Sequence, residues 1–125
     1  MRKAATIFLI LLLAVCAVGC IRSKGSYRTT ACISNQTSDS FYMEYESLKG
    51  HKTYYFTAPD DTVLNVRFVT KGGKLSCKIT DKSGKEYYVS DDVGNEELTI
   101  KLGEKSEYSV ALQTDGHQGG FYFSW

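Results

Sequence analysis

A chain of 125 residues has room for about one domain, and what remains after a leader is removed is the size of one small sandwich. With 42% apolar, 13% aromatic and 23% charged residues, its composition is that of a globular protein rather than a disordered or fibrous one. Removing Arg2 and Lys3 with the leader leaves 13 basic against 14 acidic side chains, a net charge of −1. That balance lacks the clustered basic excess with which proteins displace phosphate counterions, so no nucleic-acid partner is expected.

Arg2 and Lys3 precede an uncharged run from Ala4 to Gly19 that contains Ile7-Phe8-Leu9-Ile10-Leu11-Leu12-Leu13, the layout of a signal peptide. The run is short of the roughly 20 apolar residues that a permanent transmembrane helix needs. It closes on Ala17-Val18-Gly19-Cys20, which resembles the lipobox of bacterial lipoproteins, where small residues precede a cysteine that is lipidated before cleavage. The alternative is an ordinary small-residue cleavage site. Cys16 fits less well, because branched Val15 would sit at the cut. The reading is therefore a signal peptide over 1–19 and a diacylated Cys20 that holds the protein on the extracytoplasmic side of a bacterial cell membrane, each buried methylene adding about 0.8 kcal/mol. Residues 20–30 read as the lipidated N-terminus and a polar tether, with Gly25 for flexibility and Arg22, Lys24 and Arg28 beside anionic headgroups.

From Thr29 onward apolar residues recur at every second position, and Gly, Asp, Asn and Ser interrupt the runs, which predicts strands and no helix. Phe41, Met43 and Tyr45 alternate with Tyr42, Glu44 and Glu46. Tyr54 and Phe56 follow, then Leu64, Val66 and Phe68 against Asn65 and Arg67. Leu75, Cys77 and Ile79 lead through Asp81-Lys82-Ser83-Gly84, a tight turn, into Tyr87 and Val89. Leu98, Ile100 and Leu102, then Tyr108, Val110 and Leu112, and finally Phe121, Phe123 and Trp125 complete the pattern. About eight or nine short strands, each with one dry face, must bury that face against a second sheet. Residues 31–125 are thus predicted to form an all-β, two-sheet antiparallel sandwich, jelly-roll-like in character, with a small barrel as the alternative.

Cys32 and Cys77 remain in the body. In an oxidising compartment they form either a disulfide, contributing on the order of 3 to 4 kcal/mol by loop closure, or two buried free thiols. His51 and His117 lie in turn-like segments and read as solvated; no nucleophile elbow or third metal ligand accompanies them. Asp60-Asp61 and Asp91-Asp92 read as turn acids without the spacing of a calcium loop. No catalytic residue, metal or cofactor is expected. Of the 9 tyrosines, Tyr42, Tyr55, Tyr88 and Tyr122 fall on the polar side of the alternation. They are the candidate ligand contacts, able to stack on sugar rings or to centre a protein interface, or else ordinary strand tyrosines paired across neighbours.

Thr53 to Trp125 resembles the small β-sandwich domains of bacterial lipoproteins and of pre-peptidase C-terminal modules. The likeness lies in Tyr54-Tyr55-Phe56, Thr62-Val63-Leu64-Asn65-Val66, the run Leu75 to Gly84, and Tyr108-Ser109-Val110. It implies an accessory, non-catalytic domain and carries over no site residue. The expected function is a membrane-anchored binding module for a glycan or an envelope protein. An assembly accessory that pairs through an open sheet edge is the alternative, and an envelope enzyme comes third.

Overall fold

A computed structural model describes residues 21–125; the predicted leader and Cys20 lie outside the described residues. The described chain is all-β and contains β1 (Arg22–Lys24), β2 (Tyr27–Thr30), β3 (Ile33–Gln36), β4 (Ser40–Ala58), β5 (Val63–Gly72), β6 (Ser76–Asp81), β7 (Glu86–Ser90), β8 (Glu96–Lys101) and β9 (Ser106–Ser124). Every pairing is antiparallel. Two strands of 19 residues, β4 and β9, run side by side through the centre.

The long pair belongs to two layers at once. The first half of β4 and the second half of β9 form a front layer with β3 outside β4, and with β5 and then β8 outside β9. Their other halves form a back layer with β1 and β2 on β4, and with β6 and then β7 on β9. One open sheet is therefore folded on itself into a sandwich, and it does not close into the alternative barrel. Contacts across the fold show the two layers facing each other: Phe41 stacks on Tyr54 at 3.9 Å between ring centroids, and Phe56 stacks on Trp125 at 4.2 Å.

The alternation correctly assigns the core. Phe41, Met43, Leu64, Val66, Phe68, Phe121 and Phe123 are buried from the front, and Tyr54, Phe56, Cys77, Ile79, Tyr108, Val110 and Leu112 from the back. What the runs do not reveal is their continuity. Buried positions of β4 are odd-numbered through Tyr45 and even-numbered from Leu48 to Ala58; those of β9 are even from Tyr108 to Thr114 and odd again at His117, Phe121 and Phe123. A change of parity within one strand needs an irregular residue count. The β4–β9 register does shift, between Tyr45 and Leu48 and between Leu48 and Gly50. The runs 41–45 and 54–56 are thus one bent strand, β4, and the runs 108–112 and 121–123 another, β9.

Two segments depart from expectation. Residues predicted as a tether pair with β4 instead: Arg22–Lys24 opposite Thr53–Tyr55, and Tyr27–Thr30 opposite Ser47–Gly50. The outer edge of so long a strand would otherwise present a row of unpaired backbone groups, and the N-terminal segment covers it. In β7, a register shift beside Ile79 turns Tyr88 inward and leaves Val89 53% exposed, the reverse of the predicted faces.

The corner of β9 relies on glycine. Gly119 has φ 136°, and a Cβ there would lie 1.9 Å from the Val69 carbonyl oxygen of β5. Gly119→Ala is expected to lower unfolding free energy by at least about 1–3 kcal/mol, read from denaturant midpoints; Gly84→Ala, with nothing within 4 Å of its Cβ and φ 91°, carries backbone strain without that collision and costs less.

Candidate functional site

The outer face of the front layer carries one row of side chains that crosses all five of its strands. Asn35 of β3 is in register with Tyr42 of β4, Tyr42 with Tyr122 of β9, Tyr122 with Arg67 of β5, and Arg67 with Glu97 of β8. Directly opposed residues on one face lie close enough to touch, and here they do. The Tyr42 and Tyr122 rings stack at 5.7 Å with planes 17° apart, and the Arg67 guanidinium lies over the other side of Tyr122, 5.3 Å from its centroid. The Tyr122 hydroxyl donates to the Glu44 carboxylate. Partial burial, and then that bond, push its phenol up to about 12.

Two hollows flank the row. One, of about 430 Å³, is lined by Asn65, Arg67, Glu97, Thr99, Tyr122 and Ser124. The other, of about 340 Å³, opens where Gly119 carries no side chain and is bordered by Ile33, Glu44, Lys71 and Tyr122. Around a pair of aromatic rings the face therefore gathers a guanidinium, two carboxylates, an amide on either side and hydroxyls.

Of the four tyrosines singled out in the sequence, only Tyr42 and Tyr122 come together. Tyr55 lies on the outer face of the back layer, capped by Arg22 at 5.2 Å and Lys24 at 5.4 Å, while Arg22 also reaches Glu107 at 3.0 Å. Tyr88 does not face outward: it packs against Phe68 and donates to Glu96 at 3.0 Å. Arg67 and Glu44 are legible in the sequence only as polar members of their strands, and Asn35 and Glu97 not at all, because the register that aligns them is not written in any one of them.

His117 overturns its reading as a solvated turn residue. It is fully buried at the corner, in a hydrogen-bond chain whose directions are fixed. Thr70 Oγ1 donates to the Gly94 carbonyl at 2.6 Å, so it accepts from His117 Nε2 at 2.8 Å; Nδ1 is then free to accept from the Tyr45 hydroxyl at 2.6 Å. Each polar group of the chain thus has a hydrogen-bond partner, as a neutral imidazole in a buried site requires. His51 is exposed.

Cys32 and Cys77 are both free thiols: Cys32 is exposed on the turn after β2, and Cys77 points into the core, where burial pushes its thiol up. They are neither bridged nor both buried, because the β2–β3 turn lies outside the sheet that encloses Cys77. The Asp60-Asp61 and Asp91-Asp92 pairs fall at opposite ends of the sandwich, and Asp60 accepts from the Lys105 backbone. Among the described residues no group of three or more His, Cys, Asp or Glu side chains is placed to hold a metal.

No family model and no curated protein matches the chain. Solved structures overlap it in part. The second carbohydrate-binding module of family 51, solved with GlcNAc and neighbouring domains of Clostridium perfringens ZmpB, is 7% identical, with a TM-score of 0.49 over 81% of this chain and 29% of that one. A carbohydrate-binding module from Cellvibrio mixtus lichenase 5A, solved with cellotriose, is 9% identical, with a TM-score of 0.44 over 86% and 98%. A family 61 module, TmCBM61, solved with β-1,4-galactotriose, is 16% identical, with a TM-score of 0.41 over 85% and 84%. At these values neither ligand nor site carries over.

Two measurements check the buried groups. Desolvation lowers the His117 pKa from 6.5, so above about pH 6.5 the residue is neutral folded or unfolded. As pH falls below that value the unfolded chain takes up a proton that the native state resists, and stability declines, by at most about 1.4 kcal/mol per pH unit. His117→Gln should flatten that acid limb; in urea titrations, an unchanged limb would contradict the neutral relay. Of the two described cysteines, thiol labelling of the native protein should modify Cys32, with Cys77 reacting only after denaturation.

Proposed function

We propose that this chain is a non-catalytic binding module of the bacterial cell envelope, anchored through a lipidated Cys20, and that it takes a polyhydroxylated ligand, a glycan, on the outer front face. The observation that carries this reading is the Asn35–Tyr42–Tyr122–Arg67–Glu97 row with a hollow on each side. Sugar recognition needs an apolar ring surface for C–H groups and planar polar groups that bond pairs of hydroxyls. Tyr122 is sandwiched between Tyr42 and Arg67, so it stiffens the row. Tyr42, with Tyr122 on one side and the edge strand β3 on the other, supplies the ring surface that remains. Arg67, Glu97 and Asn65 around one hollow and Glu44 beside the other supply the polar groups. The back face offers less, since Tyr55 is already covered by two cations, Thr80 is hydrogen-bonded to Ser109 and Lys78 is ion-paired with Glu86.

The same face meets a protein partner if glycans are ignored, and the outer edge of β3, unpaired among the described residues and with Ile33 61% exposed, is then the place for it to pair.

Binding of soluble envelope glycans, measured by calorimetry on the delipidated protein, is expected to weaken about ten-fold or more in Tyr42→Ala and Arg67→Ala. Tyr55→Ala should bind as the parent does. Equal losses in all three variants, or glycan binding untouched by the first two, would contradict the proposed face.

A further inference from the structure

We propose that the module has no tether and stands with one defined end against the lipid bilayer. This rests on the lipid-anchor reading of Cys20 and adds the orientation that follows from it.

The slack between anchor and fold is a single residue. Ile21 packs against the hydrophobic core, and its carbonyl accepts a hydrogen bond from Gln36 Nε2 at 2.9 Å. Arg22 is already in register with Tyr55, lies over its ring, and is ion-paired to Glu107. Consecutive Cα atoms are only about 3.8 Å apart, so an acylated Cys20 is held within one residue's reach of the sheet. A flexible tether of ten residues would let the domain tumble over a radius of about 16–19 Å; the paired β1 and β2 remove that freedom.

The register then says which end is down. Ile21 lies where β4 ends and where β9 both begins and ends, for Ala58 pairs with Ser106 and Ser40 with Ser124. The turns at this end are 37–39, 59–62, 82–85 and 103–105, with Trp125 beside Asp39. Their exposed charges, Asp39, Asp60, Asp61 and Glu104 against Lys82, Lys85 and Lys105, are of both signs, which suits contact at headgroup level rather than insertion. The bent corner, with Lys49 and Lys71, is the far end, about 26 Å away along the eight steps of β4 from Gly50 to Ala58. The Tyr42–Tyr122 row stands two residues from the near end, about 7 Å up, so its ligand must be presented at the membrane surface.

The test uses the lipidated protein in vesicles carrying a quencher on the lipid headgroup. In a Cys32→Ser background a fluorophore is placed at Lys82→Cys or Lys105→Cys, and separately at Lys49→Cys or Lys71→Cys, all exposed positions. The orientation predicts several-fold stronger quenching at 82 and 105 than at 49 and 71. It also predicts loss of the difference when ten Gly/Ser residues are inserted between Cys20 and Ile21. Mass spectrometry of the same preparation separates the two ideas: a lipidated Cys20 with equal quenching at both ends overturns the orientation alone, and an unlipidated protein overturns the anchor and the orientation together.

Discussion

The structure depends on the pairing of β4 with β9 along almost their whole length. Each strand starts in one layer, bends, and finishes in the other, so a single ladder supplies the centre of both sheets and the hinge between them. The other strands build outward from that ladder: β1, β2 and β3 on β4, β5 and β6 on β9, and then β8 on β5 and β7 on β6. The bend must occur at matching places on both strands or the ladder would lose register. The corner is accordingly where the unusual chemistry collects: Gly119 against β5, and the buried chain of Tyr45, His117, Thr70 and Gly94, which satisfies polar groups where the regular ladder is interrupted.

This dependence explains which features could be read from residues alone. Period-two alternation located most of the buried apolar side chains, because a strand in a two-layer fold has one dry face whatever its neighbours. It failed where residue counts become irregular. The change from odd to even positions between Tyr45 and Tyr54, and back between Leu112 and Phe121, was present in the sequence and marks both bends; taken as gaps between short strands, it hid the corner and placed His117 in solvent. In β7, one shifted residue sent Tyr88 inward, as a single step always does in a strand. Ile21 to Thr30 looked like a tether because exposed edge strands are as polar as linkers, and only the unpaired edge of β4 explains why they are ordered.

The candidate site has the same origin. Tyr42 and Tyr122 were recognisable as outward aromatics, but nothing local distinguishes them from Tyr55, which is masked by cations from β1. Arg67 and Glu97 join the row only through the order β4, β9, β5, β8, a long-range property. The outcome is a face whose groups are fixed by backbone register on regular strands, a rigid placement that suits recognition. The one buried histidine is spent on holding the corner.

The glycan-binding face is tested by mapping amide chemical shifts of the ¹⁵N-labelled domain during titration with an envelope glycan. Saturable shifts are expected to concentrate at Asn35, Tyr42, Arg67, Glu97 and Tyr122 and to be absent from the back-face residues Tyr55, Lys78 and Ser109. Shifts centred on the back face or the corner, or none with any glycan, would contradict it.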